Sequence, residues 1–229
     1  MAVSQKKIKG FTLLELMVVL AIVSIVSAIG FPNFNSWRTD RAVRVTAVGL
    51  SNLFTEVYNH TQSSSYPFVQ VLIDSRKDQD QITVRGYGIL SDEYGDALFN
   101  NQSRRLACGV GDSLSIGNPN DDHVWREINM RPLRTTDVLF NFQDRVGVCF
   151  SKDTSHYQIN AETSEYNDQF IILCPRLAMS AGGTDDAAVC NISDLQNNTI
   201  YPAYQLRWTR FGNINLFKYN HTNNDWNLQ

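Results

Sequence analysis

The sequence predicts an α+β fold: a long N-terminal α-helical spine, kinked near Pro32, packed on a C-terminal antiparallel β-sheet domain. Three observations predict it. The apolar run GFTLLELMVVLAIVSIVSAIGFP fills residues 10–32, an amphipathic helical stripe follows it, and from Phe68 onward the pattern turns to short β-like runs without strand-helix alternation. With 229 residues, 43% of them hydrophobic, the chain suits one globular domain with an appendage rather than a disordered or multi-span protein.

The apolar run comes first. Phe11 to Phe31 is 21 residues long with Glu15 as its one charge, against roughly 20 needed to cross a bilayer core. Residues 1–10 carry Lys6, Lys7 and Lys9 and no acid, so the positive-inside bias keeps them cytoplasmic and sends the remainder of the chain outward. A cleaved secretory signal is the competing expectation. It would have a shorter apolar core and a small-residue site, which Val26-Ser27-Ala28 imitates only weakly. An ionised acid inside such a run costs on the order of 3 kcal/mol, so Glu15 needs a partner or a task.

The spine is expected to continue beyond Pro32. Val43, Ala47, Leu50, Phe54 and Val57 alternate steps of four and three, with Arg41, Arg44, Asn52 and Glu56 off the stripe, the pattern of a helix lying on a core. Pro32 lacks an N–H and crowds the preceding turn, so a kink or local unwinding is expected there, with Gly30 adding looseness. A helix from Phe11 to about His60 would measure roughly 75 Å. QSSSYP, residues 62–67, ends it. The expected organisation is a leader at 1–10, an apolar helix at 11–31, an amphipathic half at 32–61 and a β-rich head at 62–229. A chain lacking about the first 37 residues should then fold alone.

In the head, FVQVLI, QITVRGYGIL, DVLFNFQ, VGVCFS, HYQIN, QFIILC and YQLRWTRFGNINLFKY read as strands. Gly212-Asn213 is expected to form a tight primed turn between the last two. Residues 91–132 read as an irregular, loop-rich region.

The four cysteines, Cys108, Cys149, Cys174 and Cys190, all fall in the part placed outside the cytoplasm, where disulfides persist. Three pairings are possible. The favoured one joins Cys174 to Cys190 across a Gly-rich loop and leaves Cys108 for Cys149. No C-x-x-C occurs, which argues against a zinc or dithiol redox site.

Other chemistry has little support. Asp121-Asp122-His123 and Asp185-Asp186 lack the spacing of a calcium loop and read as solvated charge, so no metal or cofactor is expected. His60, His123, His156 and His221 stand in polar sequence without a nucleophile motif, so no enzyme is expected. Arg207 and Arg210, with Lys218 across the hairpin and Trp208, Phe211 and Tyr219 beside them, form a possible basic-aromatic surface for DNA. The charge balance weighs against it. The net charge is −3, and losing residues 1–10 leaves 17 basic against 23 acidic side chains.

A basic leader ending in Gly10 and followed by FTLLELMVVLAIVSIVSAIGFP closely resembles the N-terminus of class III signal prepilins, the type IV pilins and type II secretion pseudopilins. The resemblance covers roughly the first 35 residues. It implies cleavage by a prepilin peptidase between Gly10 and Phe11 and N-methylation of Phe11. It implies retention of the apolar helix, first as an inner-membrane anchor and then in a filament core, with an inner-membrane assembly platform and other pilin subunits as partners. In that family the carboxylate at the position of Glu15 meets a neighbouring subunit's amino terminus. That agrees with the requirement that a buried charge be paired and with the use of single polar sites to fix register. The length of the chain favours a minor pilin or pseudopilin, and FNFQDRVGVC and WTRFGNINLFKY are similar to the group that contains FimT and GspH. A filament-associated subunit for DNA uptake or surface adhesion is the alternative.

Overall fold

A computed structural model describes residues 11–63, 65–75, 81–93, 125–128, 131–143, 145–154, 158–161, 169–176, 189–190 and 201–229, with the side chains of 28–35, 158, 160 and 161 outside the described set. The chain forms two units, residues 1–38 and 39–229.

Helix α1 spans Leu13–His60. Its backbone stays helical through Gly30 and Pro32, so the proline does not break it into two helices. At its end the free carbonyls are taken up locally. Thr61 N–H and its hydroxyl both donate to Tyr58 O, at 2.9 and 2.7 Å, and Ser63 does the same to His60 O, at 3.1 and 2.7 Å. These tight bonds satisfy groups that a helix terminus otherwise leaves open, and they stop the helix at the polar linker.

The second unit contains two antiparallel sheets rather than one. The first has the order β3-β2-β1-β6-β7, with β4 also pairing β2. Its strands are β1 (Phe68–Asp74), β2 (Ile82–Ile89), β3 (Arg126–Glu127), β4 (Leu133–Thr135), β6 (Arg145–Ser151) and β7 (Gln158–Ala161). The second has the order β11-β10-β9-β8-β5, built from β5 (Val138–Phe140), β8 (Phe170–Pro175), β9 (Tyr204–Trp208), β10 (Ile214–Asn220) and β11 (Asp225–Leu228).

The amphipathic half of α1 joins the two sheets in one core. Val43, Ala47, Leu50, Phe54 and Val57 are fully buried, whereas Arg41, Arg44, Asn52 and Glu56 are exposed. Phe54 meets Trp208 of the second sheet at 5.2 Å between ring centroids, and Tyr58 meets Phe150 of the first at 5.5 Å. Alternate residues Val69, Val71 and Ile73 of β1 and Tyr204, Leu206 and Trp208 of β9 complete this core. The helical residues from Thr39 onward therefore belong structurally with the head.

Each sheet also buries part of its outer face. Phe68, Tyr87, Ile89, Trp125 and Cys149 cluster on the first, and Leu139, Ile172, Cys174, Cys190, Ala203 and Tyr219 on the second. A cysteine of the sheet itself stands in each cluster. Cys174 and Cys190 are disulfide-bonded with Cα atoms 5.9 Å apart. Cys149 is disulfide-bonded too, and its expected partner Cys108 lies outside the described residues.

The β9–β10 turn differs from the sequence expectation. Trp208 pairs with Ile214, Thr209 N–H donates to Asn213 O at 3.0 Å, and Gly212 N–H donates to Thr209 O at 2.9 Å. The loop is thus three residues, Arg210-Phe211-Gly212, with Gly212 at φ +75° closing a bulge. Gly212-Asn213 is not a two-residue primed turn. An ideal Cβ on Gly212 would lie 2.1 Å from the Tyr58 ring, so α1 itself selects the bare backbone here.

Candidate functional site

Thr12 and Glu15 open α1 with reciprocal bonds. Thr12 N–H and Thr12 Oγ1 donate to Glu15 Oε2 at 3.0 and 3.2 Å, and Glu15 N–H donates to Thr12 Oγ1 at 3.2 Å. This is a capping box, written in the sequence as T-L-L-E. The intersubunit task that the resemblance implies for Glu15 leaves this local signal out of account. Within a single chain the carboxylate already has a partner in the backbone N–H of Thr12, and it sits where the helix dipole favours negative charge.

From there the helix is apolar on all sides. Phe11 is 88% exposed, and Leu13, Leu14, Leu16, Met17, Val18, Val19, Leu20, Ile22, Val23, Ile25 and Val26 are each at least half exposed. So large a continuous apolar surface marks a membrane or protein interface. Among the described residues no helix is long and apolar enough to cross a membrane. The described side chains of this segment end at Ser27, whereas the apolar sequence runs on to Phe31. Lys6, Lys7, Lys9 and Gly10 lie outside the described residues.

The three basic residues proposed for DNA do not share a surface. Tyr204 pairs with Lys218, whereas Arg207 pairs with Asn215, so strand alternation puts Lys218 and Arg207 on opposite faces. Lys218 Nζ donates to Asp40 Oδ1 of α1 at 2.8 Å, and Tyr204 OH donates to the same oxygen at 3.2 Å. Burial pushes the Tyr204 phenol above its ordinary value, with the Asp40 carboxylate adding to the effect. For Lys218 burial acts downward, but the bonds and charges of Asp40 and Tyr204 outweigh it and the ammonium stands above its ordinary value. Arg210 stacks over the exposed Phe211 at the hairpin tip, 4.8 Å from the ring centroid. Trp208 and Tyr219 are buried at 2% and 4% exposure and offer no stacking surface.

Among the described residues no group of three or more His, Cys, Asp or Glu could hold a metal. Asp121, Asp122, His123, His156, Asp185 and Asp186 lie outside that set. His60 meets the Tyr66 ring edge-on, and His221 Nε2 is bonded to Tyr201 O at 2.8 Å. Both have structural surroundings.

The helix start, its bare apolar surface and the leader sequence ahead of it coincide with one family finding. Residues 5–31 match the family described as the prokaryotic N-terminal methylation motif. That match supports a class III signal prepilin of the type IV pilin-like family. No curated protein and no solved structure matches the chain. The match takes in Gly10, Phe11, Thr12 and Glu15 and ends one residue before Pro32.

Proposed function

We infer that the chain is a minor pilin or pseudopilin, a structural subunit of a type IV pilus or of the related type II secretion pseudopilus, and not an enzyme. Residues 1–10 are removed by prepilin peptidase between Gly10 and Phe11, and the new amino group of Phe11 is methylated. The segment 11–31 holds the subunit in the inner membrane with the head outside the cytoplasm. It then packs with other subunits in the filament after extraction by the assembly platform.

The supporting observation is the methylation motif at residues 5–31 joined to a helix whose start is bare and apolar and whose second half is part of the head core. The helix that follows the leader runs on without a break to supply six core residues of the head, Val43, Ala47, Leu50, Leu53, Phe54 and Val57. Mass spectrometry of the mature N-terminus decides the matter. The expected first residue is N-methylated Phe11, and a mature chain beginning after Ala28 would sink the assignment.

A further inference from the structure

The outer face of the second sheet is covered at one end and open at the other. Ala203, Ile172 and Tyr219 are buried in one cluster with the Cys174–Cys190 disulfide. Two residues further along the cover thins, with Phe170 still packed against that cluster. Phe170, Arg207 and Asn215 form one row across β8, β9 and β10, and Gln205, Phe217 and Leu228 lie in the next. Arg207 and Asn215 are exposed, and Leu228 is 64% exposed.

Arg207 is held in place within this opening. Its Nε donates to Oε1 of Gln205 at 2.7 Å, and Gln205 is itself 2% exposed. Its guanidinium lies over the Phe217 ring, 4.8 Å from the centroid. Among the described residues no carboxylate pairs with it, and both Nη groups remain for a ligand. An arginine fixed in this way has already lost its rotamer freedom, and its planar fork matches a carboxylate with two parallel hydrogen bonds. Arginine is one of the residue types enriched at interface hot spots.

We propose that Arg207, with Phe170, Asn215, Phe217 and Leu228 around it, is a docking site for an acidic side chain presented by another filament subunit, the apolar neighbours of that acid lying on Phe217 and Leu228. This rests on the filament-subunit reading above. Nucleic acid is disfavoured because it is bound by several cations at once. Lys218 faces the helix on the other side of the sheet, Arg210 stacks on Phe211 at the hairpin tip, and among the described residues of β8 to β11 Arg207 is the one cation on this face.

The test is in-cell photo-crosslinking of the full chain carrying Asn215→p-benzoylphenylalanine. The expected product joins it to an identified pilin-type subunit, at a peptide containing Asp or Glu. Arg207→Gln should lower the yield about tenfold, the loss expected for one hot-spot contact. Arg207→Lys keeps the charge and loses the fork, and should recover only a small part. Arg207→Glu should recover the product when the mapped acid is changed to Arg. An unchanged yield in Arg207→Gln, full recovery with Lys, no subunit product, or an adduct removed by nuclease would each overturn the site. The mature N-terminus is read by mass spectrometry on the same samples. Methylated Phe11 without the cross-link defeats the docking site alone, whereas an unprocessed chain defeats the filament reading with it.

Discussion

Glu15 and Thr12 exchange hydrogen bonds across the first turn of α1, the carboxylate accepting from the Thr12 N–H at 3.0 Å and the Thr12 hydroxyl accepting from the Glu15 N–H at 3.2 Å. Within one chain, then, the acid is a helix cap. Among assembled subunits we propose a second task, the one the prepilin resemblance implies, which is pairing with a neighbour's amino terminus. The cap uses Oε2 alone, and the two tasks call for different chemistry, since capping needs an acceptor and pairing needs a charge.

Glu15→Ala removes both, whereas Glu15→Gln retains the cap and removes the charge. Both variants keep Lys6, Lys7, Lys9 and the Gly10–Phe11 bond, so both should be cleaved. The Ala variant is expected to accumulate, cleaved, in the inner membrane and to be scarce in sheared filaments. The Gln variant should behave the same way if charge is what assembly uses. Immunoblots of the membrane and sheared fractions read this directly, and filament levels near wild type for Glu15→Gln would transfer the role of the residue to capping. Thr12→Val should cost the first turn about 1 kcal/mol, seen as faster amide exchange at Glu15, whose N–H loses its acceptor.

Asp40, Tyr204 and Lys218 tie α1 to the β9–β10 hairpin, and their titration sets an alkaline limit on the head. The ordinary values are 10.0 for the phenol and 10.5 for the ammonium, and both groups stand higher in the folded head. The folded state therefore holds these protons more tightly than the unfolded chain does. The stability this contributes is fully present below the ordinary values and is lost as pH rises through the raised ones. Urea unfolding of a chain beginning at Thr39 should show no loss from this cluster between about pH 7 and pH 9 and a decline above about pH 10. Asp40→Asn should lower stability at neutral pH by about 1 kcal/mol, the pair being partly exposed, and should flatten the alkaline decline. An unaltered alkaline slope would mean that other groups set the limit.

Gly212 and Tyr58 share a space with no room for a methyl group. Gly212→Ala puts a side chain at φ +75° and drives its Cβ into the Tyr58 ring. The combined cost is expected to be roughly 3 kcal/mol in urea unfolding. Tyr58→Ala in the same chain should recover about 1 kcal/mol of it by opening the space, a coupling that a double-mutant cycle measures. Strict additivity of the two substitutions would show that backbone strain alone is responsible.

The features legible in the sequence were those written in local periodicity and local chemistry. The apolar run, the buried stripe from Val43 to Val57, the strand-like runs of the head and the T-L-L-E cap each depend on residues within a few positions of one another, because a helix or strand face is defined over one or two turns. Tertiary structure alone decided what those elements meet. Seven strand-like runs do not say whether they form one sheet or two, since a strand buried on both faces reads the same in either. DWNL, residues 225–228, lies in an asparagine-rich tail and becomes a strand only because β10 offers it an edge. The hairpin turn centres on Arg210 and Phe211 instead of Gly212-Asn213, and Tyr58, far away in sequence, fills the space a side chain at the glycine would need. Arg207 and Lys218 read as one basic surface until the cross-strand register sets them on opposite faces, one held by Gln205 and Phe217 and the other bound to Asp40. Register and sheet partner are properties of pairs of distant segments, settled by which faces can be buried together, and a single run of residues carries no record of them.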